Sequence, residues 1–76
     1  MTKKEVELLT KVQEHANLHY DGHFVLMKFT GNWRTCFGTP SGDCRNQIHQ
    51  MIEGNSLEEC LTKLLAEPVS TYNFDM

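Results

Sequence analysis

Apolar and polar positions follow two rhythms along this chain: a helical period near both ends and an alternation of period two between them. In the first twenty residues Val6, Leu9, Val12 or Gln13, and Ala16 recur at helical spacing, and Leu8 with His15 or His19 widens the stripe. Thr2 stands three residues before Glu5 and makes a capping box, the hydroxyl accepting from the Glu5 amide and the carboxylate reaching back to the Thr2 amide. The pattern predicts an amphipathic helix from residue 3 that is stopped by Tyr20-Asp21-Gly22.

From Phe24 to Phe37 the rhythm becomes that of strands, with two β-prone runs flanking Gly31-Asn32, a strong local hairpin signal. A type II′ turn there pairs Thr30 with Trp33, Met27 with Cys36 and Leu26 with Phe37. Alternation then puts Val25, Met27, Phe29, Arg34 and Cys36 on one face, and Phe24, Leu26, Lys28, Thr30, Trp33, Thr35 and Phe37 on the other. Both faces carry apolar side chains, and few helices remain to cover them, so part of the sheet is expected to wait for another chain.

Gly38-Thr-Pro-Ser-Gly-Asp43 reads as a turn-rich linker. A short helix follows, capped by Asp43 or Ser41, with Cys44, Ile48, Met51 and Ile52 on one side and Gly54 closing it. Ser56 with Glu59 forms a second capping box, opening a third helix whose stripe is Leu57, Cys60, Leu61, Leu64 and Leu65 and which Pro68 ends. Residues 69 to 74 have strand composition and read either as a third, edge strand or as a tail lying across the core. The fold class is α+β: one small domain over residues 1–76 in the order α-β-β-α-α, an antiparallel hairpin packed by helices, with a C-terminal edge strand as one reading of the tail.

The formal net charge of −3 is unevenly distributed. Lysines and glutamates balance in residues 1 to 20, and residues 21 to 45 carry +1; from residue 46 onward Glu53, Glu58, Glu59, Glu67 and Asp75 face only Lys63. That acidic end would repel a phosphate backbone and suit a basic protein surface. The three cysteines Cys36, Cys44 and Cys60 are an odd count with no signal peptide, and read as buried thiols in a reducing compartment. No apolar run approaches the roughly 20 residues that span a bilayer. The expected protein is soluble and cytoplasmic, without a membrane partner.

Candidate chemistry is sparse. His15 and His19, four apart, would share a helix face as a metal pair does, but His23 falls beyond Gly22 and no Cys-x-x-Cys is present, so no metal site is assigned. Cys44 and His49 are five apart, about 140° around a helix, and would not meet. The segment from Gly38 to Asp43 leading into a helix outlines an anion cradle in which Ser41, Gly42 and Arg45 would take part, without the ending of a P-loop. Trp33 and Arg34 beside Lys28 have the composition of a base-stacking platform and equally of a protein-interface hot spot.

Two strands followed by Glu53-Gly-Asn-Ser-Leu-Glu-Glu-Cys-Leu-Thr-Lys-Leu-Leu65 resemble the Gly-x-Thr/Ser-Leu-Glu-Glu-Ala-Leu helix of HicB-type antitoxins and related small phage or bacterial accessory domains, over Gly54 to Leu65. The resemblance implies a non-catalytic partner-binding module and carries over no functional residue.

The sequence therefore reads as a small acidic protein-binding module without enzymatic activity or cofactor, of the kind of a bacterial or phage regulator or inhibitor such as an anti-CRISPR protein. Its expected surface joins Trp33, Arg34 and Lys28 to Glu58, Glu59 and Lys63, or the hairpin edge pairs with its own copy in a homodimer. The alternative is a nucleic-acid or nucleotide-binding domain that uses the Trp33/Arg34 hairpin or the Gly38–Asp43 loop.

Overall fold

Thr2 opens the first element as its capping role requires: its hydroxyl accepts from the Glu5 amide at 3.1 Å, and its own amide donates to Glu5 Oε1 at 2.7 Å. These bonds hold the Glu5 carboxyl below its usual range. Helix α1 (Lys3–His19) ends at Tyr20, where the amides of Tyr20 and Gly22 both donate to the Ala16 carbonyl, and Asp21 takes a φ of 54°. The buried stripe is Leu8, Val12 and Ala16. Val6, expected in the stripe, is 49% exposed, because the face that meets the rest of the protein is rotated toward Leu8 and Leu9.

The structure, a computed structural model, describes residues 1–40 and 45–73, apart from the side chains of Arg45 and Asn73. It is a small α+β domain in the order α1, β1 (Phe24–Lys28), β2 (Trp33–Phe37), α2 (Arg45–Gln50), β3 (Ile52–Gly54) and α3 (Leu57–Ala66), followed by a 3-10 turn at Thr71–Asn73. The strands form one antiparallel sheet in the order β1-β2-β3, so β2 is central.

Three expectations are corrected. The hairpin forms, but its turn is centred on Thr30-Gly31 rather than Gly31-Asn32: Phe29 donates to the Asn32 carbonyl at 2.8 Å, and neither central residue has a positive φ. The register follows, pairing Met27 with Arg34, Val25 with Cys36 and Phe24 with Phe37. Against the expected pairing this is a slip of two, which preserves the faces. It also lengthens the ladder, since Gly38 donates to the His23 carbonyl at 2.9 Å, whereas the expected register leaves Phe24 and Val25 overhanging.

Second, Ile52–Gly54 is a strand and not the end of a helix, giving α-β-β-α-β-α. Ile48, Met51 and Ile52 fit a helical period, but β2 has a second edge to satisfy, and Ile52, Glu53 and Gly54 pair with Thr35, Arg34 and Trp33. The expected caps Asp43 and Ser41, and Cys44 of the expected helix, lie outside the described residues. Third, of the two readings of the tail, its described residues form one parallel bridge, Ser70 to Phe37, and no edge strand, while Phe74 lies outside the described residues; the Phe37 amide donates to the Val69 carbonyl at 2.8 Å. Here Gly38 has a φ of +85°, and a Cβ on it would stand 2.3 Å from Thr71 Oγ1.

Helices α1 and α3 cover one sheet face, where Leu8, Val12, Ala16, Leu57, Leu61 and Leu64 surround Phe37, with Phe24, Leu26, Trp33 and Ile52 at the margin. Cys36 and Met51 form a smaller core on the other face with Val25, Met27, Ile48 and Val69. Helix α3 begins as expected, with Ser56 Oγ accepting from the Glu59 amide at 3.1 Å, though the Glu59 carboxylate reaches the Asn55 amide instead of that of Ser56.

Strand β3 runs so close under α3 that a Cβ on Gly54 would lie 2.5 Å from the Cys60 nitrogen and 2.7 Å from its Cα. Backbone atoms cannot yield as side chains do, so strand and helix would have to part. Gly54→Ala is expected to lower stability by about 1–3 kcal/mol, seen in urea unfolding as a lower midpoint at unchanged slope.

Candidate functional site

The residues singled out from sequence divide between the two sheet faces. Trp33 and Arg34 are consecutive on β2, so their side chains leave the sheet in opposite directions. Trp33 packs at the edge of the larger core, and Lys28, its cross-strand neighbour, holds Nζ 5.5 Å from the indole centroid while donating to the Phe29 carbonyl. Gly54 is the partner of Trp33 on its other side, so Lys28, Trp33 and Gly54 form one row across the hairpin end of the sheet.

Arg34 is engaged within the fold. Its guanidinium donates to the Ile48 carbonyl at 3.0 Å and to Glu53 Oε2 at 2.6 Å, and its side chain is 17% exposed. It thereby ties the last turn of α2 to β3 and neutralises one carboxylate of the acidic half of the chain. Lys63 donates to the Glu53 carbonyl at 3.1 Å and stands 3.9 Å from Glu59. Of the expected acidic surface, Glu58 is exposed and has no partner among the described residues.

Ser41 and Gly42 lie outside the described residues, as does the side chain of Arg45, so the expected anion cradle has no geometry to report. Cys44 of the Cys44–His49 pair is likewise outside them. His15 and His19 do share a face of α1, with ring centroids 4.6 Å apart, and His15 rests on Phe37 at 4.7 Å. Tyr20 stacks on the same Phe37 at 4.9 Å with only 5° between planes, so His15 belongs to an aromatic cluster. His23 is off the helix as expected, its Nδ1 2.7 Å from Thr39 Oγ1. Among the described residues no three His, Cys, Asp or Glu side chains converge in a metal-binding group, and no helix is long and apolar enough to cross a membrane.

Cys36 and Cys60 are fully buried free thiols. Burial pushes each up from the ordinary 9.0 to about 11, and for Cys60 the cation of Lys63 offsets part of that effect. A thiol held in its neutral form is a poor nucleophile.

The sequence reading expected an open hairpin edge without saying which strand provides it; with β3 on the far side of β2, it is the outer edge of β1. The bonds from Gly38 to His23 and from Phe29 to Asn32 fix residues 23, 25, 27 and 29 as those facing β2. The N–H and C=O groups of Phe24, Leu26 and Lys28 therefore point outward and have no partner among the described residues. Apolar surface accompanies them, with Phe29 40% exposed beside the half-buried Val25 and Met27. Alternation alone does not give this parity: a turn about Gly31-Asn32 would aim the backbone groups of residues 25, 27 and 29 outward, and the observed turn about Thr30-Gly31 reverses that. Comparison with protein-family models, with curated proteins and with solved structures finds no match for this chain.

Two outcomes are expected. Arg34→Met should lower stability by about 1–2 kcal/mol, a charged hydrogen-bond contribution discounted for the half-exposed Glu53, readable by chemical denaturation. The raised thiols favour the fold while neutral, so their contribution is complete below pH 9.0 and is lost as pH rises through about 11. The melting temperature should fall across that interval, and a maleimide should label Cys36 and Cys60 in urea but not in the native protein.

Proposed function

We propose that this chain is a non-enzymatic protein-binding module that works by occupying a surface of another protein through the hairpin end of its sheet. The observation that carries the reading is the half-exposed β1 and its hairpin end, where Lys28 and Trp33 margin one face of the sheet and the exposed Phe29 the other. The exposed carboxylate of Glu58, at the start of α3, supplies an acidic flank suited to a basic partner.

A nucleic-acid platform would want Trp33 and Arg34 side by side with a free guanidinium. Strand alternation separates them, and Glu53 occupies the guanidinium, which favours a protein partner. The biological setting we propose is that of a small acidic bacterial or phage regulator or inhibitor, anti-defence and anti-CRISPR-like in kind, acting in the cytoplasm. Its supports are the acidic balance of residues 46 to 76 and the resemblance of Gly54 to Leu65 to small accessory domains.

The test is capture of a defined protein from a bacterial host by the immobilised chain, followed by titration with the purified partner. Phe29→Asp and Trp33→Ala should each weaken that binding at least tenfold, while Lys11→Ala, on α1, should leave it unchanged. Equal binding by all three variants would overturn the proposal, as would a salt-sensitive affinity for single-stranded nucleic acid that depends on Arg34.

A further inference from the structure

We infer that the chain forms a two-fold symmetric dimer in which β1 pairs antiparallel with β1 of a second copy, joining two three-stranded sheets into one of six strands. This goes beyond the partner-binding reading and does not depend on it.

The two edges of the sheet are treated differently. At the β3 edge the strand is only three residues long, and where it stops, Phe37's outward amide is taken by the Val69 carbonyl, with Ser70 bridged beside it. The β1 edge is five residues in unbroken register with no proline, no bulge and no acidic residue, and its one guard is the charge of Lys28 at the hairpin end. Helix α1 packs on α3, and no described backbone group bonds the outward amides and carbonyls of Phe24, Leu26 and Lys28.

The strand is complementary to itself. Antiparallel pairing about Leu26 sets Leu26 against Leu26 of the second copy and Phe24 against Lys28, and these outward-facing residues form the hydrogen-bonded pairs, six backbone bonds in a ladder of about five residues. Val25 falls opposite Met27 in the intervening close pairs, where apolar side chains meet most tightly. The strand's single charge, Lys28, then faces an aromatic ring at each end, with the two ammonium groups about 13 Å apart along the strand direction. A parallel arrangement would set Lys28 against Lys28. Charge and side-chain matching thus select a second copy in one orientation.

Light scattering after gel filtration should report twice the 8.8 kDa chain mass at high micromolar concentration, falling toward 8.8 kDa on dilution. Amide exchange should show Phe24, Leu26 and Lys28 protected in step with dimer formation. Lys28→Pro removes an amide that has no bond within the chain, and should weaken association at least tenfold. In a Cys44→Ser background, Leu26→Cys should oxidise to a covalent dimer, because hydrogen-bonded antiparallel pairs stand about 5.5 Å apart, within disulfide reach. A monomeric mass at millimolar concentration overturns the inference, as does a dimer whose three outward amides exchange freely or whose Leu26→Cys variant does not cross-link. A dimer lacking any hairpin-dependent partner would sink the partner-binding reading and leave this one standing.

Discussion

The burial of β2 on both faces is the constraint on which the rest of this fold depends. Thr35, Cys36 and Phe37 are each fully buried, so the strand needs cover above, below and along both edges. Helices α1 and α3 seal the face of Phe37, while Met51 and its neighbours seal that of Cys36. Even Thr35, a polar residue, is satisfied by donating its hydroxyl to the Val25 carbonyl at 2.7 Å. The segment after α2 and the tail after α3 lie where they do because this strand would otherwise leave backbone groups unpaired in an apolar setting.

Charge follows the same logic. The chain has few cations, and two of them, Arg34 and Lys63, converge on Glu53, one through its carboxylate and the other through its carbonyl. An Arg beside a Trp suggests recognition when read as a string, yet in a strand the two point apart. The cation that does stay with Trp33 is Lys28, from the facing strand, a neighbour that only the register can supply. Adjacent letters therefore put Trp33 and Arg34 together, whereas the fold makes Arg34 a structural tie and leaves Trp33 with Lys28 at the hairpin margin.

The helix starts were legible because capping is local: Thr2 with Glu5 and Ser56 with Glu59 carry their own geometry within a single turn. The sheet faces were legible because period two survives a slip of two residues. The turn centre was not, since Thr30-Gly31 and Gly31-Asn32 differ by one position, and pairing from His23 to Gly38 decides between them. Strand β3 was hidden because three residues fit a helical continuation as well as a strand, and only the vacant edge of β2 separates the two. An open hairpin edge was expected, but that β1 supplies it was not legible, since this is defined by what lies on the far side of β2.

The approach of β3 to α3 has a bearing on how such a sequence can drift. Glycine at position 54 is dictated by main-chain atoms of Cys60, and a short side chain at 60 by its complete enclosure. Chains that have lost every other similarity while keeping this shape would still carry that pair, six positions apart across a serine-capped helix start, as a compact signature for tracing distant kin.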